Sequence, residues 1–241
     1  MIARELDGHV AAVTGGSGGI GRAILAALAT AGAAPYALDV AELDAGPGEW
    51  ISADMQSDES VAAAIASIEE RHGRLDILVH AAGISSDAVI WKLPVEEWDR
   101  IHGVNLRGAF LFLRHGIPAL RRAGGGRVVL IGSINGSRGK AGTGAYSASK
   151  AGLIGLARSV ARETGRFGIR VNVVEPGWVR TPLTEKLPAT VVQNAIGDSL
   201  VGRLLEPGDV ARAVMFLCGA GGEPITGQVL RVDGGQFLGG W

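Results

Sequence analysis

The chain is poor in several things that often betray function. It has one cysteine, Cys218, among 241 residues. A single thiol excludes an intramolecular disulfide and fits a reducing compartment. Within the apolar run Ala213–Cys218 it reads as buried filler, not as a reactive nucleophile. Excess charge of either sign is lacking: the net value is −1, so no strong field draws the chain to nucleic acid or an anionic membrane. No apolar stretch is long enough to span a bilayer, and Met1–Gly8, with Arg4, Glu5 and Asp7, lacks the apolar segment of a signal peptide. A cytoplasmic protein is the expectation. The five histidines, His9, His72, His80, His102 and His115, show no ligand spacing with one another or with Cys218, so no metal site is expected. Aromatics make up only 5% of the chain. Trp91, Trp98 and Trp178 read as core or cleft-wall residues, not as platforms for stacked bases.

What the chain does have is alternation. Short apolar runs, His9–Thr14, Pro35–Val40, Trp50–Ala53, Leu75–Ala81, Arg127–Gly132, Arg170–Val174 and Gln228–Val232, read as seven strands. Between them lie helical patterns over Gly21–Ala31, from a Ser57 cap (with Ser60 as the rival) to about Arg71, Val95–Leu120 and Tyr146–Gly165. The run Leu75–Ala81 is nearly all apolar, as expected of a strand covered on both faces. The pattern predicts an α/β fold: one Rossmann-type domain over 1–241, with a doubly wound parallel seven-stranded sheet and helices on both faces. No linker-like break appears. The irregular stretch at about 182–203 reads as a lid inserted over the ligand cleft, with Leu183, Leu187, Val191, Val192, Ile196 and Leu200 as a candidate apolar wall.

Thr14-Gly15-Gly16-Ser17-Gly18-Gly19-Ile20-Gly21 follows the first strand and opens the first helix. In that context glycines let backbone approach a dinucleotide pyrophosphate, and free N–H groups with the helix dipole favour its charge. Two patterns fit, G-x-G-x-x-G on Gly16, Gly18 and Gly21, and T-G-x-x-x-G-x-G on Thr14, Gly15, Gly19 and Gly21. The same residues also spell G-x-S-x-G on Gly15, Ser17 and Gly19, the nucleophile elbow of α/β hydrolases. That reading needs a histidine late in the chain, and the last is His115. Asp39 ends the second strand, where a carboxylate can accept from the adenosine ribose hydroxyls and repel a 2′-phosphate. No Lys or Arg lies in the turn or in Asp39–Gly48, so NAD(H) is expected over NADP(H). An ordinary strand-end acid facing water is the plainer alternative.

The chain holds only two tyrosines and four lysines, yet Tyr146 and Lys150 stand at i and i+4, on one helical face. A nearby ammonium favours phenolate and brings a phenol toward the working range of a general acid/base. A surface Tyr–Lys pair is the plainer reading. Ser133 follows the fifth strand at the sheet edge where ligands bind, placed to hydrogen-bond a substrate carbonyl. Ser137 is its competitor, further into the loop. Asn105 lies within a helical pattern that disfavours Asn, which permits a functional role as well as a solvent-facing one.

In that order, the glycine turn, Asn105, Ser133 and Tyr146-x-x-x-Lys150 resemble the short-chain dehydrogenase/reductase family, over Thr14 to Gly235. The likeness is greatest to the branch of 3-oxoacyl-acyl-carrier-protein reductases and small-alcohol dehydrogenases. The resemblance implies Tyr146 as general acid/base and Lys150 as the group that lowers its pKa and holds the nicotinamide ribose. It implies Ser133 as the group polarising the carbonyl and Asn105 as the holder of a water linking Lys150 to solvent. It implies cofactor contacts from Gly15, Ser17, Gly19, Ile20, Gly21, Asp39, Asp54, Met55, Ala81, Ala82 and Gly83, then from Pro176, Gly177, Val179 and Thr181. Val232-Asp233-Gly234-Gly235 matches the family's C-terminal signature. The helix from Tyr146 matches a subunit interface, implying a homotetramer, with a dimer as the alternative. Two positions depart from the pattern: His80 stands for Asn before Ala81-Ala82-Gly83 and reads as a structural substitute, and Glu175 stands before Pro176-Gly177 where Asn, Ala or Ser is commoner. The expected activity is interconversion of a secondary alcohol and a ketone on a 3-oxoacyl thioester or a small or cyclic alcohol. A non-catalytic dinucleotide sensor is the alternative. Arg107, Arg138, Lys140 and Arg180 are candidate basic residues for docking a carrier protein.

Overall fold

The computed structural model describes residues 5–44, 46–181, 184 and 188–239. Seven strands form one sheet: β1 (Val10–Thr14), β2 (Ala34–Asp39), β3 (Glu49–Ser52), β4 (Ile77–His80), β5 (Gly126–Ile131), β6 (Ile169–Pro176) and β7 (Val229–Val232). Their order is β3-β2-β1-β4-β5-β6-β7, and every pairing is parallel. The order reverses between β1 and β4, which opens a crevice at the carboxyl ends of these two strands.

Side-chain alternation along the strands feeds two separate cores. On one face Ala11, Val13, Ala37, Ile77, Val79 and Val129 meet α1 (Gly19–Thr30) and α8 (Pro207–Cys218). On the other, Ala12, Leu38, Leu78, Val128, Leu130 and Val171 meet α2 (Asp58–His72), α4 (Gly108–Arg122) and α6 (Gly144–Thr164). Both faces are thus apolar, which is why these strands read as continuous apolar runs. Cys218 is buried in the first core. Burial pushes its thiol up to about 12, so it is inert packing.

The helix read over Val95–Leu120 is three pieces. α3 (Val95–His102) and α4 flank a π-helical turn, Gly103–Arg107. A π turn inserts one residue and rotates the next helical segment about its axis, and Asn105 lies inside it, fully buried. Ser57 is the cap of α2, accepting from the Ser60 amide at 3.2 Å, so Ser60 is not. Two helices have no readable period in the sequence. α5 (Ile134–Arg138) is too short to show one, and α8 is visible there only as an apolar run. Its start is marked by Pro207 and by Asp209, which accepts from the Glu206 amide at 2.7 Å. In the stretch expected to be a lid, α7 spans Ala189–Gly197, while Leu183 and Leu187 lie outside the described residues. Trp91 and Trp98 are not core residues. Trp91, in a single turn with no packed face, is 79% exposed, and Trp98 stacks on His102 at the surface. Among the described residues no helix is long and apolar enough to cross a membrane.

Phe112 is the largest fully buried side chain of the α4 face, touching the ring of His80. Phe112→Ala is expected to lower stability by about 3–5 kcal/mol. Urea or guanidinium unfolding should register this as a lower midpoint at unchanged slope.

Candidate active site

The glycine turn leaves β1 at the edge of the crevice. Gly15 has φ +65°, and a Cβ there would lie 2.6 Å from the Ala82 nitrogen. A Cβ on Gly21 would lie 2.1 Å from the Gly15 carbonyl oxygen. Side chains are therefore excluded where the turn folds back on itself and where it meets the strand opposite. No side chain caps the start of α1, so its first amides stay open to an anion beside Ser17, Gly19 and Ile20. Asp39 closes the other wall. One carboxylate oxygen accepts from the Ser17 amide at 3.0 Å and the other from the Ala41 amide at 3.1 Å. Ser17 donates its hydroxyl to the Ala41 carbonyl at 2.7 Å. A cation does reach this rim, although none stands in the turn itself: Arg22, one residue past Gly21, donates to the carbonyls of Ser17 and Asp44. Asp54 and Met55 lie just past β3, Asp54 exposed and Met55 buried against Gly108 of α4.

Ala81, Ala82 and Gly83 join this crevice to the second cluster. The Ala81 amide donates to the Thr14 carbonyl at 3.1 Å and the Ala82 amide to the Thr14 hydroxyl at 3.2 Å. One residue on, a Cβ on Gly83 would lie 3.1 Å from Lys150 Nζ and 3.5 Å from Asn105 Oδ1. The short run Ala82–Gly83 thus touches the glycine turn on one side and the lysine on the other.

Helix α6 carries Tyr146 and Lys150 on one face, with Lys150 Nζ 5.8 Å from the phenol ring centre. Lys150 is buried and donates to the Ile131 carbonyl, at the end of β5, at 2.8 Å. Burial lowers its pKa to about 8. Tyr146 is half-buried. Its surroundings raise the phenol pKa through desolvation, and the Ser133 hydroxyl, hydrogen-bonded to it, pulls the other way. Desolvation is the larger effect, so the phenol is shifted up and not down as the sequence led one to expect. Ser133 is the N-cap of α5 and accepts from the Asn135 amide at 3.2 Å. Its competitor Ser137 turns away and donates to Glu175 at 2.6 Å.

Asn105 faces inward, not to solvent. Its Oδ1 accepts from the Ile84 amide at 2.8 Å, while Nδ2 donates to the Ile84 carbonyl and the Ser149 hydroxyl, both at 2.9 Å. Ser149 in turn donates to the Tyr146 carbonyl at 2.7 Å. Sequence reasoning passed over Ser149 and Gln236. The fully buried Gln236 accepts from the Trp178 amide at 2.7 Å and donates to the Ala195 carbonyl of α7 at 2.8 Å. It follows the Gly234-Gly235 pair directly, which is the only local signal it carries. Pro176 ends β6. Gly177 donates to the Val232 carbonyl at 2.9 Å, Val179 is buried beside Leu205, and the Thr181 amide donates to Thr184 Oγ1 at 2.8 Å. Of the four basic candidates, Arg107 donates to the Gln56 carbonyl, Arg138 to the Gln236 carbonyl, and Arg180 pairs with Glu206. Lys140 sits over the Trp178 ring at 4.6 Å. Among the described residues no cluster of three or more His, Cys, Asp or Glu side chains could hold a metal ion.

The family model described as enoyl-(acyl carrier protein) reductase matches residues 15–236. A solved short-chain type dehydrogenase/reductase from Mycobacterium ulcerans is 32% identical with a TM-score of 0.91, covering 98% of this chain and 92% of that one. The chain belongs to the short-chain dehydrogenase/reductase family. Among its relatives, the 3-oxoacyl-(acyl-carrier-protein) reductase FabG of Thermotoga maritima is 34% identical, over 97% of this chain and 100% of that protein. The acetoacetyl-CoA reductase of Rhizobium meliloti is 40% identical, over 95% and 99%. This dehydrogenase/reductase thus resembles ketoreductases along nearly its whole length, and its parallel sheet is that of the family.

Burying Lys150 makes the site costly. Its pKa falls from 10.5 to about 8, a gap of roughly 3 kcal/mol by linkage. The sign follows from proton counts: between pH 8 and 10.5 the unfolded chain holds the extra proton, so stability rises with pH there. Below pH 8 the full penalty is present. Lys150→Met is therefore expected to melt at or above the wild-type temperature at pH 7, with the difference shrinking between pH 8 and 10.5. Thermal melts across that range check this, and a variant that melts well below wild type at pH 7 contradicts it.

Proposed function

We propose that the chain is an NAD(H)-dependent oxidoreductase interconverting a secondary alcohol and a ketone, with Tyr146 as the proton donor and acceptor. The observation that carries this reading is the Ala82–Gly83 run, in contact with Gly15 on one side and within a few ångströms of Lys150 on the other. It joins the glycine turn to the helix that bears the phenol and the ammonium. The donor set fits the cofactor: a turn that excludes Cβ atoms, uncapped amides at the start of α1, and the Asp39 carboxylate beside that turn, which would meet a ribose. A bound nicotinamide dinucleotide would supply or accept the hydride.

The chain's own residues handle the proton. In the reductive direction Ser133 donates a hydrogen bond to the carbonyl oxygen and Tyr146 gives its proton to that oxygen. In the oxidative direction the phenolate takes the proton back. A phenol held above its ordinary pKa is protonated at neutral pH, which suits the reductive step. Lys150 would hold the nicotinamide ribose. Asn105 serves to hold Ile84 and, through Ser149, the first turn of the helix bearing Tyr146. The similarity to 3-oxoacyl and acetoacetyl reductases favours 3-oxoacyl thioesters as the first substrates to try, with small and cyclic alcohols next. We place the enzyme in the cytoplasm and expect a homotetramer, with a dimer as the alternative. Its contacts would run along α6 and the adjoining surface groove of Leu106, Phe110 and Leu156.

Purified protein is expected to oxidise NADH in the presence of acetoacetyl-CoA or a cyclic ketone. Tyr146→Phe is expected to lower kcat by about 100-fold or more, the usual range for a lost general acid, while NADH still binds. Absorbance of NADH reads the first and fluorescence titration the second. A Phe variant that keeps the wild-type rate removes Tyr146 from the chemistry.

The cofactor choice follows from Asp39, whose charge already occupies the Ser17 amide. NADPH is expected to give a much lower kcat/KM than NADH. Asp39→Ser should narrow the gap by about tenfold or more, since it removes a like-charge repulsion worth on the order of 1–2 kcal/mol. Kinetics with both cofactors check this. A wild-type preference for NADPH reverses the assignment of Asp39.

A further inference from the structure

The family pattern has Asn where this chain has His80, and the imidazole does more than fill that place. It is fully buried at the end of β4, and both ring nitrogens are engaged. Nδ1 lies 2.9 Å from the Thr14 hydroxyl and Nε2 lies 3.2 Å from the Asn105 carbonyl oxygen. A carbonyl oxygen only accepts, so Nε2 carries the hydrogen. Nδ1 is then an acceptor and takes the Thr14 hydroxyl proton. The Thr14 oxygen is left to accept from the Ala82 amide, which it does at 3.2 Å. One neutral tautomer satisfies every donor and acceptor in the row.

We propose that His80 is a positioning residue that ties the floor of the cofactor crevice to the π turn bearing Asn105. Its Nδ1 side holds Thr14, and with it the Ala82 backbone that packs on Gly15. Its Nε2 side holds the carbonyl of Asn105, the residue whose amide anchors Ile84 and Ser149 beneath Tyr146. The π turn is closed by its own bond from the Gly108 amide to the Gly103 carbonyl, and the imidazole adds a donor from outside the helix. Burial keeps the ring uncharged: its pKa is lowered to about 3, with Lys150 adding to the desolvation. The Phe112 ring lies beside the imidazole, 6.2 Å between ring centres. The two ends have different duties. The Thr14 end supports cofactor binding, and the Asn105 end supports turnover.

This inference rests on the oxidoreductase reading above, and two substitutions separate its two ends. A Gln side chain reaches the Nε2 position and can donate to the Asn105 carbonyl, but it gives up Thr14. An Asn side chain reaches only the Nδ1 position, and so serves Thr14 but not Asn105. With acetoacetyl-CoA and NADH, His80→Gln is expected to keep kcat within about threefold of wild type and to weaken NADH binding about tenfold, the loss of one buried hydrogen bond. His80→Asn is expected to keep NADH affinity and lose about 10- to 100-fold in kcat, as for a small misplacement of reacting groups. Thermal melts of both variants identify any that fail to fold. In the wild-type chain, nitrogen-15 NMR of labelled histidine should show one buried neutral ring protonated on Nε2 down to the lowest pH at which the fold survives. Wild-type kcat in His80→Asn overturns the proposal. So does parallel loss of kcat, NADH affinity and melting temperature in both variants, or a ring protonated on Nδ1. A wild-type protein that binds NADH but reduces no carbonyl sinks the oxidoreductase reading alone, because the affinity and NMR measurements still decide the role of His80.

Discussion

Everything at this site depends on two backbones passing at near contact. At the split between β1 and β4, a methyl group on Gly15 would fall 2.6 Å from the Ala82 nitrogen. The approach has two consequences. It forms the crevice floor from main chain alone, so amides and not side chains meet whatever binds there. It also carries Ala82–Gly83 directly onto the buried lysine of α6. Strand order, glycine placement and the Tyr–Lys spacing are separate properties of the sequence, and this contact is where they become one site.

The polar groups around that contact are costly, and the fold offsets the cost by pairing them. Lys150, Asn105, His80, Thr14 and Glu175 are all buried. Each has a partner: a strand-end carbonyl, a loop amide, a hydroxyl or a guanidinium. An unpaired buried group of this kind costs roughly 1–3 kcal/mol, more if charged. Lys150 still carries a depressed pKa, so its one hydrogen bond does not fully replace its hydration. The proposed role of Lys150 accounts for a charge kept where it opposes folding, an exchange of stability for activity.

How much of this was readable in the sequence depended on whether the signal was local. The inner strands could be read because each is a short run covered on both faces, and the glycine turn because its spacing is compact. Tyr146 and Lys150 stand one helical turn apart, so periodicity alone put them on one face. The π turn was invisible, because one inserted residue in a long apolar pattern looks like continued helix; hence Asn105 could be read as solvent-facing when it is buried. α5 has only five residues, too few to repeat a period, and the capping role of Ser133 appears only in the structure. The link from Thr14 to His80 spans 66 residues and that from His80 to Asn105 spans 25, distances at which composition and spacing carry no information. The direction of the Tyr146 shift was likewise beyond reach, since it turns on how deeply the fold buries the phenol.

The two departures from the family pattern make a consistent argument about what this chain has varied. His80 sits behind Asn105, and Glu175 sits behind Ser133. The Glu175 carboxylate lies opposite Arg231 in the β6–β7 register, accepts from it at 3.2–3.3 Å, and accepts from Ser137 at 2.6 Å. Arg231 in turn lies over the Phe237 ring at 3.5 Å. Ser137 is one turn past Ser133 on the short helix that Ser133 caps, so Glu175 pins that helix to the sheet as His80 pins the π turn. A buried ion pair of this kind adds little net stability, yet removing one partner strands the other, so it fixes geometry more than it holds the fold. Both changes put in a longer side chain, and each makes hydrogen bonds at two points. Neither touches the set of Ser133, Tyr146 and Lys150. The chemistry proposed here is therefore carried by the residues that match the family, and the features peculiar to this chain lie in what holds them in place.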